Sequence, residues 1–185
     1  MKVIIPAGGK GTRLNSILKG LPKPLVNIDG DPLLIHTIQL CKKYGLTDIN
    51  LLLGYKPNKI IDALGDGSDL NVKITYHLED KQLGTAGAVK NIEDTIDNDF
   101  LLIYGDIYLN MDLEKLINFH NSKNSNGTLV CHPNNHPHDS DLLELNDDDE
   151  IINFIPKPHD ENTYHRNLVN AGISVLNKSI LMNIK

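Results

Sequence analysis

Residues 3–14, VIIPAGGKGTRL, run a short apolar strand straight into a glycine-rich loop that carries Lys10 and Arg13. Gly8, Gly9 and Gly11 have no side chain to block an incoming phosphate, so the backbone turns sharply and presents its N–H groups. The two cations add charge where a polyphosphate would lie. In α/β proteins, nucleotides are held at loops that follow a strand end. The opening segment therefore reads as a nucleotide site on an α/β scaffold.

Charge supports that reading. The chain has 185 residues and a net charge of −6, yet residues 1–28 contain Lys2, Lys10, Arg13, Lys19 and Lys23 and no acid. That segment is +5 and the remaining 157 residues carry −11. An acidic protein with a cationic amino-terminal patch suits a small polyanion; duplex nucleic acid calls for a basic domain. No apolar run approaches transmembrane length, and the start lacks a secretory hydrophobic stretch. Cys41 and Cys131 read as reduced, packed thiols, and the expected location is the cytoplasm, with no membrane partner.

Apolar runs alternate with helical patterns, which argues for a doubly wound, mostly parallel sheet. Val3–Ile5 is a first strand. Asp31-Pro32 reads as a helix start, with Asp as cap and Pro at the first helical position. Leu34, Ile38 and Cys41 then share one face, and Gly45 supplies the stop. Ile49–Leu53 reads as a second strand, apolar throughout, as expected if both faces are covered. A shorter helix from about Pro57 buries Ile60, Ile61 and Leu64; Val72–Tyr76 is a strand and Thr85–Ile92 a helix. Phe100–Tyr104 should be central, and Asp112 caps a helix burying Leu113, Leu116, Ile117 and His120. After residue 127 strand-like runs follow without a helix between them, at Thr128–Cys131, Leu142–Leu145, Ile151–Ile155 and Leu168–Leu176. The stretches 91–99, 118–127 and 146–150, rich in Asn and Asp, read as loops and turn ends. One domain over residues 1–185 is expected, since no linker cuts the chain.

Three glycine-loop templates were compared. No segment offers the glycine, four residues, then Gly-Lys-Ser/Thr of a P-loop. The dinucleotide fingerprint, with Gly9 and Gly11, fails at its third glycine, where Leu14 stands. What remains is GGKGTRL at 8–14 with PKPL at 22–25, followed by LGTAGA at 83–88, YGD at 104–106, PKP at 156–158 and NAG at 170–172. In that order and spacing the chain resembles the sugar-1-phosphate nucleotidyltransferases, over essentially its whole length. HPNNHPHDSDLLEL and YHRNLVNAG resemble the subgroup that activates D-glycero-D-manno-heptose 1-phosphate with GTP.

The resemblance implies an α/β, Rossmann-like nucleotidyltransferase fold with an antiparallel excursion in the C-terminal third. It also implies in-line attack of a sugar phosphate oxygen on the α-phosphorus of a nucleoside triphosphate, with loss of pyrophosphate. Such a step needs charge neutralisation and alignment above all. On the family pattern Ala7, Gly8, Gly9, Gly11, Thr12, Arg13, Glu79, Gly84 and Thr85 bind the nucleotide. Arg13 forks two N–H groups onto the leaving phosphates. Lys23, stiffened between two prolines, is aimed at the α-phosphate or the sugar phosphate. Asp106 follows the most apolar strand, where a hard oxygen ligand suits Mg²⁺. Lys157 resembles the clamp on the sugar phosphate, and Asp141, Asn170 and Gly172 fall where relatives approach the sugar.

Glu79 stands where relatives that prefer thymidine or uridine triphosphates carry Gln. A carboxylate accepts hydrogen bonds only, and guanine offers two donors on its Watson–Crick edge, so GTP is favoured. Pro156 replaces the glutamate that many relatives place before the lysine of PKP, a departure at the sugar end. His132, His136, His138 and Asp139 read as a polar loop over the sugar pocket in preference to a zinc cluster, because Pro133 and Pro137 break any helix that would align them. His36 and His77, embedded in apolar runs, read as packed and hydrogen-bonded. Mannose 1-phosphate with GTP and glucose 1-phosphate with thymidine triphosphate are the alternative pairs, and a non-catalytic nucleotide sensor is the alternative of another class. Relatives continue past NAG to a second metal-binding aspartate. This sequence ends at Lys185, before it, so the domain is expected to lack the family's C-terminal segment. The resemblance also leaves room for a homo-oligomer and for a sugar-phosphate phosphatase, fused or separate.

Overall fold

The computed structural model describes residues 1–9, 18, 20–81, 83–160 and 163–184. Contacts divide the chain into two compact units, Met1–Thr128 with Ser174–Lys185, and Leu129–Ile173.

In the first unit, β1 (Lys2–Pro6) lies between β4 (Asp48–Leu53) and β6 (Asp99–Ile103), parallel to both. Val3 is in register with Ile49 on one side and Leu101 on the other. β5 (Lys73–Leu78) extends the parallel set beyond β4. With β7 (Gly127–His132) and β10 (Val169–Asn177) the sheet runs in the order β5-β4-β1-β6-β10-β7. The run Phe100–Ile103 is thus interior, as its composition predicts. Val3, Ile4, Ile5, Leu51, Phe100 and Leu101 are all 0 % exposed. Each such side chain contributes about 1.5–3 kcal/mol by leaving water.

The helices pack as the apolar periodicity predicts. α1 (Leu33–Lys43) buries Leu34, Ile38 and Cys41, and Gly45 at φ +74 ends it. α2 (Pro57–Leu64) buries Ile60 and Leu64, with Ile61 half-buried; α3 (Gly84–Lys90) buries Ala88 and Val89. α4 (Leu113–Lys123) begins at Asp112, whose carboxylate accepts from the Lys115 N–H at 3.1 Å. It buries Leu113, Leu116 and His120, while Ile117, expected to be buried, is half-buried.

Three local readings are corrected. Asp31 does not cap α1: Pro32 is the N-cap, and Asp31–Pro32 (β3) pair antiparallel with Asn27–Ile28 (β2). Asp29 and Gly30, at φ +52 and +103, make the two-residue turn between them, and the Asn27 side chain accepts from the Gly30 N–H. Within β4, Asn50 interrupts the apolar run. It is buried and satisfied by His77 at 3.0 Å and by Asp48 at 3.2 Å. Residues 118–123 are the last turns of α4 and not a loop; their polarity belongs to its exposed face.

The second unit holds an antiparallel hairpin, β8 (Leu142–Leu145) with β9 (Ile151–Ile155). Leu143 faces Phe154 and Glu144 faces Asn153, with an irregularity between Glu144 and Leu145. Asn146 builds the turn by accepting from the N–H groups of Asp148 and Glu150. Among the described residues no α-helix falls between β7 and β10.

Candidate nucleotide and sugar-phosphate sites

In the first unit the carboxyl ends of β1, β4 and β6 converge on main chain. The Ala7 N–H donates to the Leu52 carbonyl at 2.8 Å, the Tyr55 N–H to the Gly8 carbonyl at 3.1 Å, and the Gly105 N–H to the Pro6 carbonyl at 3.0 Å. A Cβ on Gly8 would lie 2.9 Å from the Gly54 nitrogen, and one on Gly105 would lie 3.0 Å from the Pro6 oxygen. Both contacts are against backbone, so a side chain at either place pushes strand ends apart.

These strand ends floor a cavity of about 530 Å³, within the roughly 300–1,000 Å³ of small-molecule sites. Ala7, Gly8 and Gly9 enter it from β1, Glu79 from the end of β5, Gly84 and Thr85 from α3, and Asp106 from the end of β6. Lys23 reaches it from the 3₁₀ turn Lys23–Leu25, where the Leu25 N–H donates to the Pro22 carbonyl at 2.9 Å. Five segments separated by up to about a hundred residues therefore meet as the motif order implies. Gly11, Thr12 and Arg13, with Lys10, lie outside the described residues.

Two features of the cavity go beyond the sequence reading. Lys23 Nζ stands 2.6 Å from Asp106 Oδ2, an ion pair across 83 positions of sequence. Both side chains keep about a third or more of their surface exposed, so the pair itself contributes at most about 1 kcal/mol. Tyr104 and Ala88 also line the cavity; they sit inside the YGD and LGTAGA motifs, which is the signal that marks them. Gly54, which follows β4 directly, lies against Gly8.

Asp106 offers hard oxygens at the lining of this cavity. Among the described residues no group of three or more His, Cys, Asp and Glu gathers to hold a metal ion. The donor set fits a cation that takes one carboxylate from the protein and its other ligands from phosphates and water, the habit of Mg²⁺.

In the second unit, Asp141 Oδ1 accepts from the Lys157 N–H at 3.0 Å, which ties the start of β8 to the strand end beyond β9. The Lys157 ammonium donates to the Asp139 carbonyl at 2.9 Å and to its Oδ1 at 3.0 Å. Asn170 Oδ1 accepts from the Gly172 N–H at 2.9 Å, and Gly172 has φ +79, so NAG is a tight bend within β10. The histidines separate: His132 bonds the Pro133 carbonyl, His136 contacts Asn134 and Ser140, and the His138 ring lies 6.2 Å from that of His159. His36 bonds the Ile28 carbonyl at 2.7 Å and His77 bonds Asn50, both in structural roles. Cys41 is buried, which pushes its thiol up to about 12, and Cys131 is half-buried with its thiol also raised by burial. Among the described residues no helix is long and apolar enough to cross a membrane.

The chain is 36 % identical over 180 residues to the bifunctional protein GlmU of Methanococcus maripaludis, covering 97 % of this chain and 41 % of that one. It is 32 % identical over 191 residues to the mannose-1-phosphate guanyltransferase of Aspergillus oryzae, covering 100 % and 52 %. The crystal structure of HddC from Yersinia pseudotuberculosis superposes with a TM-score of 0.80 at 32 % identity, over 98 % of this chain and 79 % of that one. The structure of HddC complexed with GMP-PN gives 0.78 at 31 %, over 97 % and 78 %. The chain spans about two-fifths to one-half of the length of these curated relatives. The sequence model of the nucleotidyl transferases matches residues 2–185. By that match the chain belongs to the nucleotidyl transferase family.

Proposed function

We propose that this protein transfers GMP from GTP to a sugar 1-phosphate, releasing pyrophosphate and forming a GDP-sugar. The observation that carries the reading is the cavity at the ends of β1 and β6, where Gly8, Gly9, Lys23, Glu79, Thr85 and Asp106 come together. The amides of residues 8–9 and the Arg13 guanidinium neutralise the triphosphate, and Lys23 draws charge from the α-phosphate as the sugar phosphate oxygen bonds to its phosphorus. The bond to the bridging oxygen breaks in line, and that oxygen leaves with pyrophosphate. A divalent cation, Mg²⁺, held by Asp106 supplies further neutralisation of the phosphates. Lys23 exchanges its carboxylate partner for phosphate when the nucleotide enters.

Glu79 reads the base. Its two oxygens accept from N1–H and the N2 amine of guanine, and thymine offers a single donor. The guanyltransferase name of the Aspergillus relative and the GMP-PN complex of HddC support the same base. Asp141, Lys157, Asn170 and Gly172 take the sugar phosphate, with D-glycero-D-manno-heptose 1-phosphate as first choice on the motif resemblance. Mannose 1-phosphate is the second reading, supported by the Aspergillus relative, which matches along all of this chain.

Pyrophosphate release tests the proposal, with each nucleoside triphosphate paired with a panel of sugar 1-phosphates in the presence of Mg²⁺. GTP with the heptose phosphate should turn over fastest. Faster turnover with thymidine or uridine triphosphate overturns the base assignment. Tight GTP binding with no product from any pair shows a sensor and not a transferase.

A further inference from the structure

The link between β4 and α2 is bound to two separate points of the chain that carries the first motifs. The Tyr55 N–H donates to the Gly8 carbonyl at 3.1 Å. One residue on, Lys56 Nζ donates to the Gly20 carbonyl at 2.8 Å, and Lys59 Nζ lies 3.5 Å from the same oxygen. Gly20 has φ +80, and a Cβ there would stand 3.1 Å from Lys56 Nζ. Glycine at this place therefore turns the chain and leaves room for the ammonium.

Lys56 is itself held in an uncommon state. Its φ of 49 and ψ of 52 put a long side chain in the left-handed region, where glycine, asparagine and aspartate are the usual residues. Such a backbone persists where its surroundings over-determine it. Pro57 opens α2 directly after it, and the Lys59 N–H donates to the Lys56 carbonyl at 3.1 Å. The ammonium lies 5.1 Å from the centre of the Tyr55 ring. Among the described residues neither Lys56 nor Lys59 has a carboxylate partner. The Lys56 charge thus meets a main-chain oxygen and a ring face, and no acid.

Gly20 leads to Lys23 through a chain with little freedom. The Leu21 N–H donates to the Leu18 carbonyl at 2.8 Å, Pro22 has its φ set at −58, and Lys23 begins the 3₁₀ turn. We infer that Lys56 is a positioning residue: by holding the Gly20 carbonyl it fixes where the turn Lys23–Leu25 sits, and so aims Lys23 at the α-phosphate. The inference rests on the proposed nucleotidyl transfer, in which Lys23 meets the phosphate. Alignment of that kind is felt in the chemical step more than in binding.

Steady-state pyrophosphate release tests it, with GTP and whichever sugar 1-phosphate of the panel turns over fastest. Lys56→Met keeps the stem and loses the charge. It should lower kcat by about tenfold and leave the KM for GTP within about twofold, with melting unchanged because Lys56 is exposed. Lys56→Arg should restore most of the rate. Lys59 reaches the same oxygen, so Lys56→Met with Lys59→Met should lose more than Lys56→Met alone. In a Lys23→Met background the loss from Lys56→Met should vanish, because there is no ammonium left to aim. An active parent whose kcat is untouched in both the single and the double lysine variant overturns the inference and leaves the transferase reading standing. A loss of the same size with and without Lys23 also overturns it. A parent without turnover in any pair removes the transferase reading, and this inference with it.

Discussion

β6 (DFLLI) and β9 (IINFI) are both five-residue strands of four apolar residues and one polar one, and their fates are opposite. Phe100 in β6 is fully buried between β1 and β10, and Phe154 in β9 stands mostly in water. Apolar composition alone does not decide burial; the number of layers around the strand does. Parallel strands joined by helical crossovers acquire cover on both faces as a consequence of their connections. A hairpin joined by a short turn gains no cover from its connection, and here β8 buries Leu142 and Leu143 while β9 stays exposed.

The contrast is open to direct attack. Phe100→Ala should cost about 3–5 kcal/mol in urea unfolding, and Phe154→Ala should change it by less than about 0.5 kcal/mol under conditions where the chain is monomeric. Equal effects would remove the distinction. Asp106→Asn and Arg13→Ala should each lower turnover by about 100-fold or more, and Asp106→Asn should leave melting unchanged, because its side chain is 42 % exposed. If both keep near-full activity, the site assignment is wrong. Glu79→Gln should shift preference from GTP toward thymidine triphosphate by about tenfold, the worth of one hydrogen bond; an unchanged ratio of kcat/KM removes the base argument.

A titration sharpens the comparison within the sheet itself. Burial, aided by the Lys2 charge, holds the His77 imidazole below its ordinary value. The unfolded chain then binds the extra proton more readily. The stability contribution is complete above about pH 6.5, and is lost as pH falls from there through the lower folded value. Melting between pH 7.5 and 5 should show that fall, and His77→Asn should flatten it. The smallest effect is chemical: iodoacetamide should label Cys131 in the native protein well before Cys41, whose thiol stays protonated. Equal labelling rates would show the α1 face to be open.

The parallel strands were legible in sequence because cover on both faces leaves an unbroken apolar run. The Asp112 cap was legible because the carboxylate meets the first free N–H groups of its own helix. Asp31-Pro32 misled because the same pair also suits the return arm of a hairpin, and Asp29-Gly30 ahead of it decides between the two. The residues lining the cavity were legible as motifs at strand ends. Their pairings were not: Lys23 with Asp106, and Lys157 with Asp139, join residues that no periodicity relates. Asn50 was passed over because a satisfied buried amide leaves no trace in an apolar pattern.

The crossing of Gly8 and Gly54 has a practical consequence for anyone redesigning this protein. A surface built of peptide groups presents the same atoms whatever the genetic code specifies, so substitution there can damage the bed without repainting it. New tastes in nucleobase must come from the side walls, where Glu79 and Thr85 project. Selection for altered donors should therefore enrich changes at those walls and leave the glycine crossing untouched.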